Sequence, residues 1–520
     1  MLLDALQRNA RQRPDNVAIV DDRGETTWGQ LDQKARRLAK VLRGRTKRDC
    51  VAILLPSGAA FVTAFYATLY AGKVAVPLNF LLGERETLHV LADSGVDLVV
   101  TVQLILDKVD AGAAVRTSGV QMLDLLTLRP TLGTVLRQLV PLPSPKRGPD
   151  ELAAILYTSG TSGLPKGVEL THGNLQRDAD ACIRHVGLDR IQASTGKAGA
   201  DHVFLGVVPL FHSTGMLATL IAPVTLGART VYTARFSPAG TMKAIREHGV
   251  TVMAAVPSMY NALARVKDAR PEDFHCLFMP LSGGEPLPGR IRELFLEKFN
   301  CTLMEGYGLT ETCGPAFVNH PDAHREGSVG KPIPGCEVRI SDDEGKPLAA
   351  GQIGEIWLRG PMVFRGYHNL PAETAAAKTP DGFFRTGDLG MLDEDGFLFI
   401  TGRKKDMLIV SGENVYPREI EETIARMPGV AEAAVIGRPD DMRGEVPVAF
   451  VIAAEGQTIE AGAVREHCRE AGLPQFKIPK DVHIVEDLPR SPTGKVLKRE
   501  LAGRLQQGGE PVASAEGAGQ

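Results

Sequence analysis

The stretch AAILYTSGTSGLPKG, residues 153–167, joins a short apolar run to a loop of glycine, serine, threonine and one lysine. An apolar run that ends abruptly in such a loop is typical of a buried strand followed by a turn. The pattern recurs in VFLGVVPLFHSTG (203–215), VTVMAAVPSMY (250–260), LFMPLSGGEPLPG (277–289) and TLMEGYGLTE (302–311). As βα units, these stretches predict a mainly parallel sheet covered by helices, with all five loops facing one crevice outside the carboxyl ends of the strands.

The chain changes character twice after residue 328. Short strands separated by turn residues, at CEVRIS (336–341), GEIWLRG (354–360) and GFLFIT (396–401), predict a small antiparallel or barrel-like β subdomain. After GRKKD (402–406), helices near 417–427 and 461–472 and strands at AEAAVIG (431–437) and VPVAFVI (446–452) predict a compact α+β domain.

These patterns predict an α/β chain of two domains. We expect an N-terminal domain over residues 1–403, joined by a hinge to a mobile C-terminal domain over 404–505, and a disordered tail over 506–520. The proline-rich and basic segment 128–150 is typical of an exposed connection.

Composition excludes several classes of protein. A net charge of -3 offers no basic field for nucleic acid, so a phosphate ligand must be met locally. The seven cysteines are odd in number and scattered, without a C-x-x-C pair, which favours a reducing cytoplasm. The N-terminus predicts a short surface helix and not a signal peptide. The apolar region 51–82 is interrupted by proline, glycine and lysine, so it predicts buried strand and helix and no transmembrane segment.

The loop at residues 158–167 has the chemistry of a phosphate site. Its glycines remove side-chain bulk, its hydroxyls and backbone N–H groups can face oxyanions, and Lys166 adds a full charge. It differs from the P-loop of kinases and NTPases, since Gly167 stands where Ser or Thr would hold magnesium. A kinase is therefore a minor alternative, and a plain Gly/Ser turn is the other interpretation of this loop taken alone.

Five motifs occur in a fixed order, namely TSGTSGLPKG (158–167), GYGLTE (306–311), FRTGD (384–388), GR (402–403) and PTGK (492–495). Together they resemble the adenylate-forming superfamily of acyl-CoA synthetases, luciferases and adenylation domains, over residues 10–503. The resemblance implies an ATP-dependent ligase that converts a carboxylic acid to an acyl-AMP with release of pyrophosphate. The acyl group then passes to the thiol of coenzyme A, so ATP, Mg²⁺ and coenzyme A are the expected cofactors.

The resemblance also implies roles for residues that handle the phosphates. Lys495 bridges the carboxylate and the α-phosphate during adenylation, Thr310 hydrogen-bonds the α-phosphate, and Glu311 is a magnesium ligand. The residues expected to cradle the polyphosphate are Thr158, Ser159, Gly160, Thr161, Ser162, Gly163 and Lys166.

Other residues are expected to hold the nucleoside. Asp388 accepts hydrogen bonds from the ribose hydroxyls, with Arg403 nearby on the nucleotide. Adenine lies between two loops and against Ile400, because side-chain-free backbone lets a flat base approach and the Tyr307 ring can stack on it. The loop residues expected there are Gly284, Glu285, Pro286, Gly306, Tyr307 and Gly308.

The same carbonyl must first meet Lys495 for adenylation and later admit a bulky thiol. The resemblance implies that the C-terminal domain rotates between these two half-reactions. By resemblance the hinge is Lys405, although a lysine in a basic turn fits the sequence equally well. After rotation Gly412 gives a narrow backbone along which a pantetheine arm reaches the adenylate. The chain departs from the usual pattern at Phe384, where Tyr is more common, and at Lys405, where Asp is frequent.

The acyl group is expected to be a fatty or aryl monocarboxylate, consistent with fatty acid metabolism. His212 stands where amino-acid-activating relatives carry Asp, and the resemblance assigns it to gating or lining the acid site. The expected pocket segments, 216–220, 259–260, 279–281 and 315–316, are mostly apolar and contain no Lys or Arg for a second carboxylate. The oligomeric state is left open, with a homodimer among the options.

Three alternative functions follow from the same motifs. A fatty acyl-AMP ligase would load a separate carrier protein, but the extra insertion usual in such ligases is not found. Luciferase-like oxidation of the adenylate is a weaker alternative. A non-catalytic nucleotide-binding module would require loss of motif residues, and Lys166, Glu311, Asp388, Arg403 and Lys495 are all present.

Overall fold

The structure is a computed structural model that describes residues 1–127, 143, 145–158, 164–192, 194–233, 235–490 and 496–506. Most of the expected connection at 128–150 and of the expected tail lies outside the described residues. The chain forms two compact units. The first comprises Met1–Leu287, Ile291–Val338 and Leu358–Arg385, and the second comprises the described residues of Pro288–Arg290, Arg339–Trp357 and Thr386–Gln520.

The strands within the described ranges are β1 (Val17–Asp21), β2 (Gly24–Thr27), β3 (Cys50–Leu54), β4 (Val74–Pro77), β5 (Leu98–Thr101), β6 (Gln121–Asp124), β7 (Leu152–Thr158), β8 (Lys166–Thr171), β9 (Val203–Gly206), β10 (Arg229–Tyr232), β11 (Val252–Ala255), β12 (Met279–Ser282), β13 (Met304–Gly308), β14 (Pro315–Val318), β15 (Lys331–Pro332), β16 (Glu337–Ser341), β17 (Gly354–Arg359), β18 (Gly366–Tyr367), β19 (Phe384–Leu392), β20 (Leu398–Arg403), β21 (Leu408–Val410), β22 (Glu413–Val415), β23 (Val430–Asp440), β24 (Gly444–Ala453) and β25 (Asp481–Ile484).

The α-helices within the same ranges are α1 (Leu2–Gln12), α2 (Trp28–Arg45), α3 (Ala59–Tyr70), α4 (Glu84–Asp93), α5 (Gln103–Leu106), α6 (Asp110–Thr117), α7 (His172–His185), α8 (Ser213–Met216), α9 (Ala222–Leu226), α10 (Pro238–His248), α11 (Pro257–Ala264), α12 (Gly289–Phe299), α13 (Pro371–Ala377), α14 (Pro417–Ala425), α15 (Ala461–Glu470) and α16 (Lys498–Gln506). A π-helix, Leu217–Ile221, lies between α8 and α9. None of these helices is long and apolar enough to span a membrane.

The first unit contains two large sheets. One has nine strands in the order β15-β14-β13-β12-β11-β9-β10-β1-β2, and its central strands from β13 to β1 run parallel. The other has seven strands in the order β18-β8-β7-β4-β3-β5-β6, parallel from β7 to β6. The predicted α/β class with mainly parallel sheets is therefore confirmed.

The prediction of five βα units is wrong at two of the five stretches. β7 lies in the seven-stranded sheet and turns back into the antiparallel β8, and β13 is followed by a 3-10 turn and the antiparallel β14. Loops rich in glycine and hydroxyl residues suit a return to the same sheet as well as entry to a helix, so their composition does not separate the two outcomes. β9, β11 and β12 do lead to helices, and their parallel neighbours bring their carboxyl ends to one edge.

Two helix starts in the first unit follow directly from local sequence. Thr27 accepts a hydrogen bond from the Gln30 backbone N–H at 3.3 Å, and the Gln30 side chain accepts one from the Thr27 N–H, which forms a capping box for α2. Thr171 and Asn174 do the same for α7. Buried residues of α1, α2 and α3 belong to one core cluster, which includes Trp28. The apolar region at 51–82 is buried strand and helix, as predicted.

The second unit contains most of a four-stranded sheet, β16-β17-β19-β20, in the region where the sequence predicts a small β subdomain. It also contains a five-stranded sheet in which β22, β21, β24 and β23 are antiparallel neighbours and β25 pairs with β24 in parallel. α14 and α15 cover this sheet with a core that includes Ile420, Ile424 and Val464. The predicted helices near 417 and 461 and the strands between them are confirmed.

All seven cysteines lie in the described part of the chain and are unbridged. Burial raises the pKa of the Cys50 thiol to about 11 and of the Cys301 and Cys336 thiols to about 12. Cys276 is exposed.

Candidate active site

The phosphate-loop residues lie on a β-hairpin of the first unit. Thr158 ends β7 and pairs in register with Lys166, the first residue of β8. The expected phosphate ligands Ser159, Gly160, Thr161, Ser162 and Gly163 lie outside the described residues. The Lys166 Nζ forms an ion pair with the Glu373 carboxylate and stands 5.6 Å from the centre of the Tyr367 ring. Lys166 is thus a cation held at the base of the loop, one-quarter exposed.

The expected magnesium residue lies directly after β13. Thr310 and Glu311 open a 3-10 turn, and the Glu311 carbonyl accepts a 2.7 Å hydrogen bond from the Phe364 N–H. The Tyr367 hydroxyl donates a 2.9 Å hydrogen bond to Glu311 Oε1. Burial and the neighbouring Glu311 charge raise the pKa of Tyr367, so its phenol keeps its proton and remains a donor at neutral pH.

The expected adenine loops leave adjacent strands of the nine-stranded sheet. Gly284 adopts a left-handed φ of 84° in the turn after β12, ahead of Glu285 and Pro286. On β13, Gly306 and Gly308 flank Tyr307, whose ring centre lies 6.3 Å from that of Phe317. A Cβ on Gly308 would lie 1.9 Å from the Gly314 carbonyl oxygen, so only glycine fits there. The absence of a side chain at Gly308 therefore lets the segment at Gly314 pack directly against β13.

His212 lies at the start of the short helix α8, after β9. Its ring centre is 4.7 Å from that of Phe211, and its carbonyl accepts a 2.8 Å hydrogen bond from the Met216 N–H. The following segment is buried at Met216, Leu217 and Leu220 and includes the π-helix, a feature frequent at functional sites. The expected pocket residue Tyr260, by contrast, is fully buried in a core cluster. Its hydroxyl is within hydrogen-bond distance of the carbonyls of Met253 on β11 and Leu281 on β12.

The second unit carries the expected ribose residues on neighbouring strands. Asp388 of β19 faces Arg403 of β20 in register, and Arg403 Nε lies 3.1 Å from Asp388 Oδ1. Asp388 is buried while Arg403 is half-exposed, so the guanidinium compensates the charge of the carboxylate. Ile400 lies on the same strand opposite Gly390 and is partly buried.

The expected hinge follows in the same unit. Lys405 is the middle residue of a 3-10 turn, Lys404–Asp406, and burial together with the Arg403 charge lowers its pKa. Lys404 pairs with Asp343 at 2.8 Å and with Glu355 at 3.3 Å. Gly412 has a φ of 87° in the turn between β21 and β22, with no atom within 4 Å of a Cβ position. Lys495, the expected catalytic lysine, lies outside the described residues.

Within the first unit the structure brings two expected residues to one side chain. Lys166 comes from the seven-stranded sheet and Glu311 from the loop after β13, and both contact Tyr367. Tyr367 and Glu373 are not among the residues predicted from the sequence motifs. The signal available was the short stretch GYHNLPAE, residues 366–373, where a glycine–tyrosine pair precedes a proline-led helix. The second unit contains Asp388, Ile400, Arg403, Lys405 and Gly412.

The donor groups in the first unit fit a magnesium polyphosphate. Mg²⁺ in such sites takes one or two carboxylates, with phosphate and water oxygens as its other ligands. Glu311 supplies one carboxylate, and the described ranges contain no cluster of three or more His, Cys, Asp or Glu side chains that could hold an ion alone. Lys166 supplies a cation for phosphate oxygens.

Comparison with known proteins identifies the family. The family model described as AMP-binding enzyme matches residues 6–368, and the one described as AMP-binding enzyme C-terminal domain matches residues 419–495. Two solved structures share the fold over nearly the whole chain. ATP-bound MatB from Rhodopseudomonas palustris is 32% identical with a TM-score of 0.86, covering 97% of this chain and 99% of that one. The o-succinylbenzoate coenzyme A synthetase MenE from Bacillus subtilis, in complex with ATP and magnesium ion, is 31% identical with a TM-score of 0.81, covering 96% and 99%.

Curated relatives act on diverse acids. The sulfoacetate–CoA ligase of Cupriavidus necator is 35% identical, covering 95% of each chain. The feruloyl-CoA synthase of Amycolatopsis sp is 34% identical, covering 96% of this chain and 98% of the relative. The long-chain-fatty-acid–CoA ligase of Bacillus subtilis is 31% identical, covering 96% and 94%. The chain therefore belongs to the AMP-binding enzyme family of the adenylate-forming superfamily, as an AMP-forming acid–thiol ligase.

Proposed function

We propose that this ligase activates a fatty or aryl monocarboxylic acid with ATP and Mg²⁺, and then transfers the acyl group from acyl-AMP to the thiol of coenzyme A. The observation that carries the proposal is the approach of Lys166 and Glu311 to Tyr367, which places a cation and a carboxylate around one side chain. A polyphosphate needs the cation, and its magnesium ion needs the carboxylate.

The proposed roles divide between binding and charge stabilisation. Mg²⁺, when bound, neutralises phosphate charge at Glu311. Lys166 binds phosphate oxygens, and the Thr310 hydroxyl donates a hydrogen bond to the α-phosphate. Lys495 stabilises the charge that accumulates as pyrophosphate leaves. In the second unit the Asp388–Arg403 pair holds the ribose, and its 3.1 Å contact supports this role because the carboxylate is already oriented.

The acid specificity is proposed from the apolar character of the segments near His212. Met216, Leu217 and Leu220 are buried, and Pro315 and Ala316 lie on β14. An apolar lining suits an aliphatic chain or an aromatic ring. Since the relatives act on sulfoacetate, ferulate and long-chain fatty acids, the choice between these acids must be measured.

A reducing cytoplasm remains our proposal for the location. It is supported by the seven unbridged thiols, since disulfides are rare in that compartment.

The proposal is tested by following AMP, pyrophosphate and thioester over a panel of fatty, aryl and short-chain acids, with and without coenzyme A. We expect pyrophosphate exchange with the correct acid, and thioester only when coenzyme A is present. Exchange without any coenzyme A thioester would favour a carrier-protein acceptor, and release of orthophosphate in place of pyrophosphate would contradict adenylation.

Lys495→Ala separates the two half-reactions. We expect this variant to lose acyl-AMP synthesis and to retain most thioester formation from supplied acyl-AMP, because the lysine acts only while pyrophosphate departs. Arg490→Ala, in the same segment, is the matched control for loss of a cation, since Arg490 forms an ion pair with Glu432. An equal loss of both half-reactions in Lys495→Ala would contradict the assigned role.

A further inference from the structure

We propose that Tyr367 is a positioning residue that fixes the magnesium carboxylate Glu311 relative to the phosphate-loop cation Lys166. The inference rests on the proposed function, since it assigns a task to a side chain between two residues of that site. Tyr367 takes no part in the bond changes of the proposed reaction and contacts Glu311 and Lys166 instead. Its effect would pass through Glu311 and Lys166.

The first support is the geometry around the ring. The Tyr367 hydroxyl donates to Glu311 Oε1 at 2.9 Å, while the Lys166 Nζ stands 5.6 Å from the ring centre. A carboxylate oxygen held by a phenol loses rotational freedom, and a lysine near an aromatic face is attracted to it. One rigid side chain therefore sets the positions of both charged groups. Phe364 contacts the same ring edge-on, with 4.8 Å between centres.

The second support is the way the backbone of Tyr367 is held on both sides. β18 pairs with β8, where Tyr367 faces Val168 and the His368 N–H donates to the Gly167 carbonyl at 2.8 Å. The other side of this segment reaches the turn that carries Glu311. The Phe364 N–H donates to the Glu311 carbonyl at 2.7 Å, and the Cys313 thiol contacts the Met362 carbonyl at 3.2 Å. The segment 362–368 thus ties the phosphate hairpin to the magnesium turn.

The third support is a second carboxylate close to Lys166. Glu373, on α13, forms an ion pair with Lys166. Two carboxylates, Glu311 and Glu373, therefore flank one ring and one lysine. Without the Tyr367 hydroxyl, Glu311 would lose a donor that fixes the orientation of its carboxylate, and its affinity for a metal ion would fall.

The experiment compares Tyr367→Phe with wild type in ATP–pyrophosphate exchange, measured against magnesium concentration at fixed ATP and acid. Phe keeps the ring beneath Lys166 and removes only the hydroxyl. We expect the magnesium concentration for half-maximal exchange to rise about tenfold, the scale of one hydrogen bond to a charged group. Tyr367→Leu removes the ring as well, and should also raise the KM for ATP about two- to fivefold.

Tyr70→Phe is the matched control. The Tyr70 hydroxyl also donates a hydrogen bond to a carboxylate, that of Asp32, but Tyr70 is the buried last residue of α3, Asp32 lies on α2, and neither belongs to the site. It should lower the melting temperature and leave the magnesium midpoint unchanged. Phe364→Leu, which keeps the hydroxyl but removes the contact that orients the ring, serves as a second variant and should raise the midpoint by a smaller factor of about two to five.

The outcomes are distinct. An unchanged magnesium midpoint in Tyr367→Phe and Phe364→Leu, or an equal rise in Tyr70→Phe, would overturn the positioning role. Failure of the proposed function would appear differently, as absence of pyrophosphate exchange in wild type.

Discussion

Replacement of Gly308 by alanine should damage both stability and adenylation. A Cβ at this position would lie 1.9 Å from the Gly314 carbonyl oxygen and 2.7 Å from Gly314 C and Pro315 Cα. Ordinary contact would be restored only if the backbone segments at Gly308 and Gly314 separated by roughly 1.5 Å. All three atoms belong to backbone, so no side-chain rotation can relieve the clash, and the strand that carries Tyr307 must move.

The magnitude follows from that displacement. Overpacking of this kind costs about 1–3 kcal/mol of folding free energy. A shift of about 1 Å in a site can lower a rate about 10²-fold, and Glu311 follows Gly308 by only three residues. We therefore expect Gly308→Ala to lower the rate of pyrophosphate exchange about 10²-fold while the protein remains folded.

The assay pairs pyrophosphate exchange with thermal unfolding of the same preparation. Gly289→Ala is the matched control, because that glycine opens α12 with no atom within 4 Å of a Cβ position and no left-handed φ. It should leave exchange unchanged and stability equal or slightly higher, since alanine restricts the unfolded chain. Wild-type exchange and melting in Gly308→Ala would refute the close approach of β13 and β14.

Two further predictions concern buried carboxylates of the first unit. Glu305→Ala should lower the free energy of unfolding by about 3–5 kcal/mol, because Arg292, which is 14% exposed, then loses its 2.7 Å partner. Loss of Glu326, the exposed partner of Arg292, should cost less than about 1 kcal/mol, and equal losses by denaturant titration would contradict this. Asp178 is fully buried, and one of its oxygens has no hydrogen-bond partner among the described residues. Burial raises its pKa, so the folded state keeps a proton that the unfolded chain releases above its ordinary pKa of about 4, and wild-type stability falls as the pH rises from there. Asp178→Asn should therefore gain on wild type as the pH rises above about 4, and a constant difference in melting temperature would count against it.

Local patterns predicted much of the secondary structure. The helix at Pro417–Ala425 and the strands on either side of residue 442 were accessible because their periodicity and turn residues are local. The hairpin of β7 and β8 could not be predicted locally, because the same loop composition can precede either a return strand or a helix. The order of nine strands depends on pairing between segments distant in sequence, which no local pattern records.

The candidate site shows the same division. Lys166, Glu311, Asp388 and Arg403 were named from motifs, and the structure brings the first two to Tyr367 and pairs the last two. Tyr367 escaped notice because it lies 56 residues from Glu311 in sequence, and a tyrosine beside a glycine resembles many core positions. The boundary at residues 403 and 404 and the hinge at Lys405 remain predictions.

The distribution of thiols has a practical consequence for site-specific labelling of this enzyme. A maleimide reacts with thiolate, and burial holds the pKa of six cysteines above its usual range while only Cys276 is exposed. A single fluorophore or spin label can therefore be attached to the native sequence at that position. Such a reporter would follow the surroundings of Cys276 in a polypeptide that carries no engineered residue.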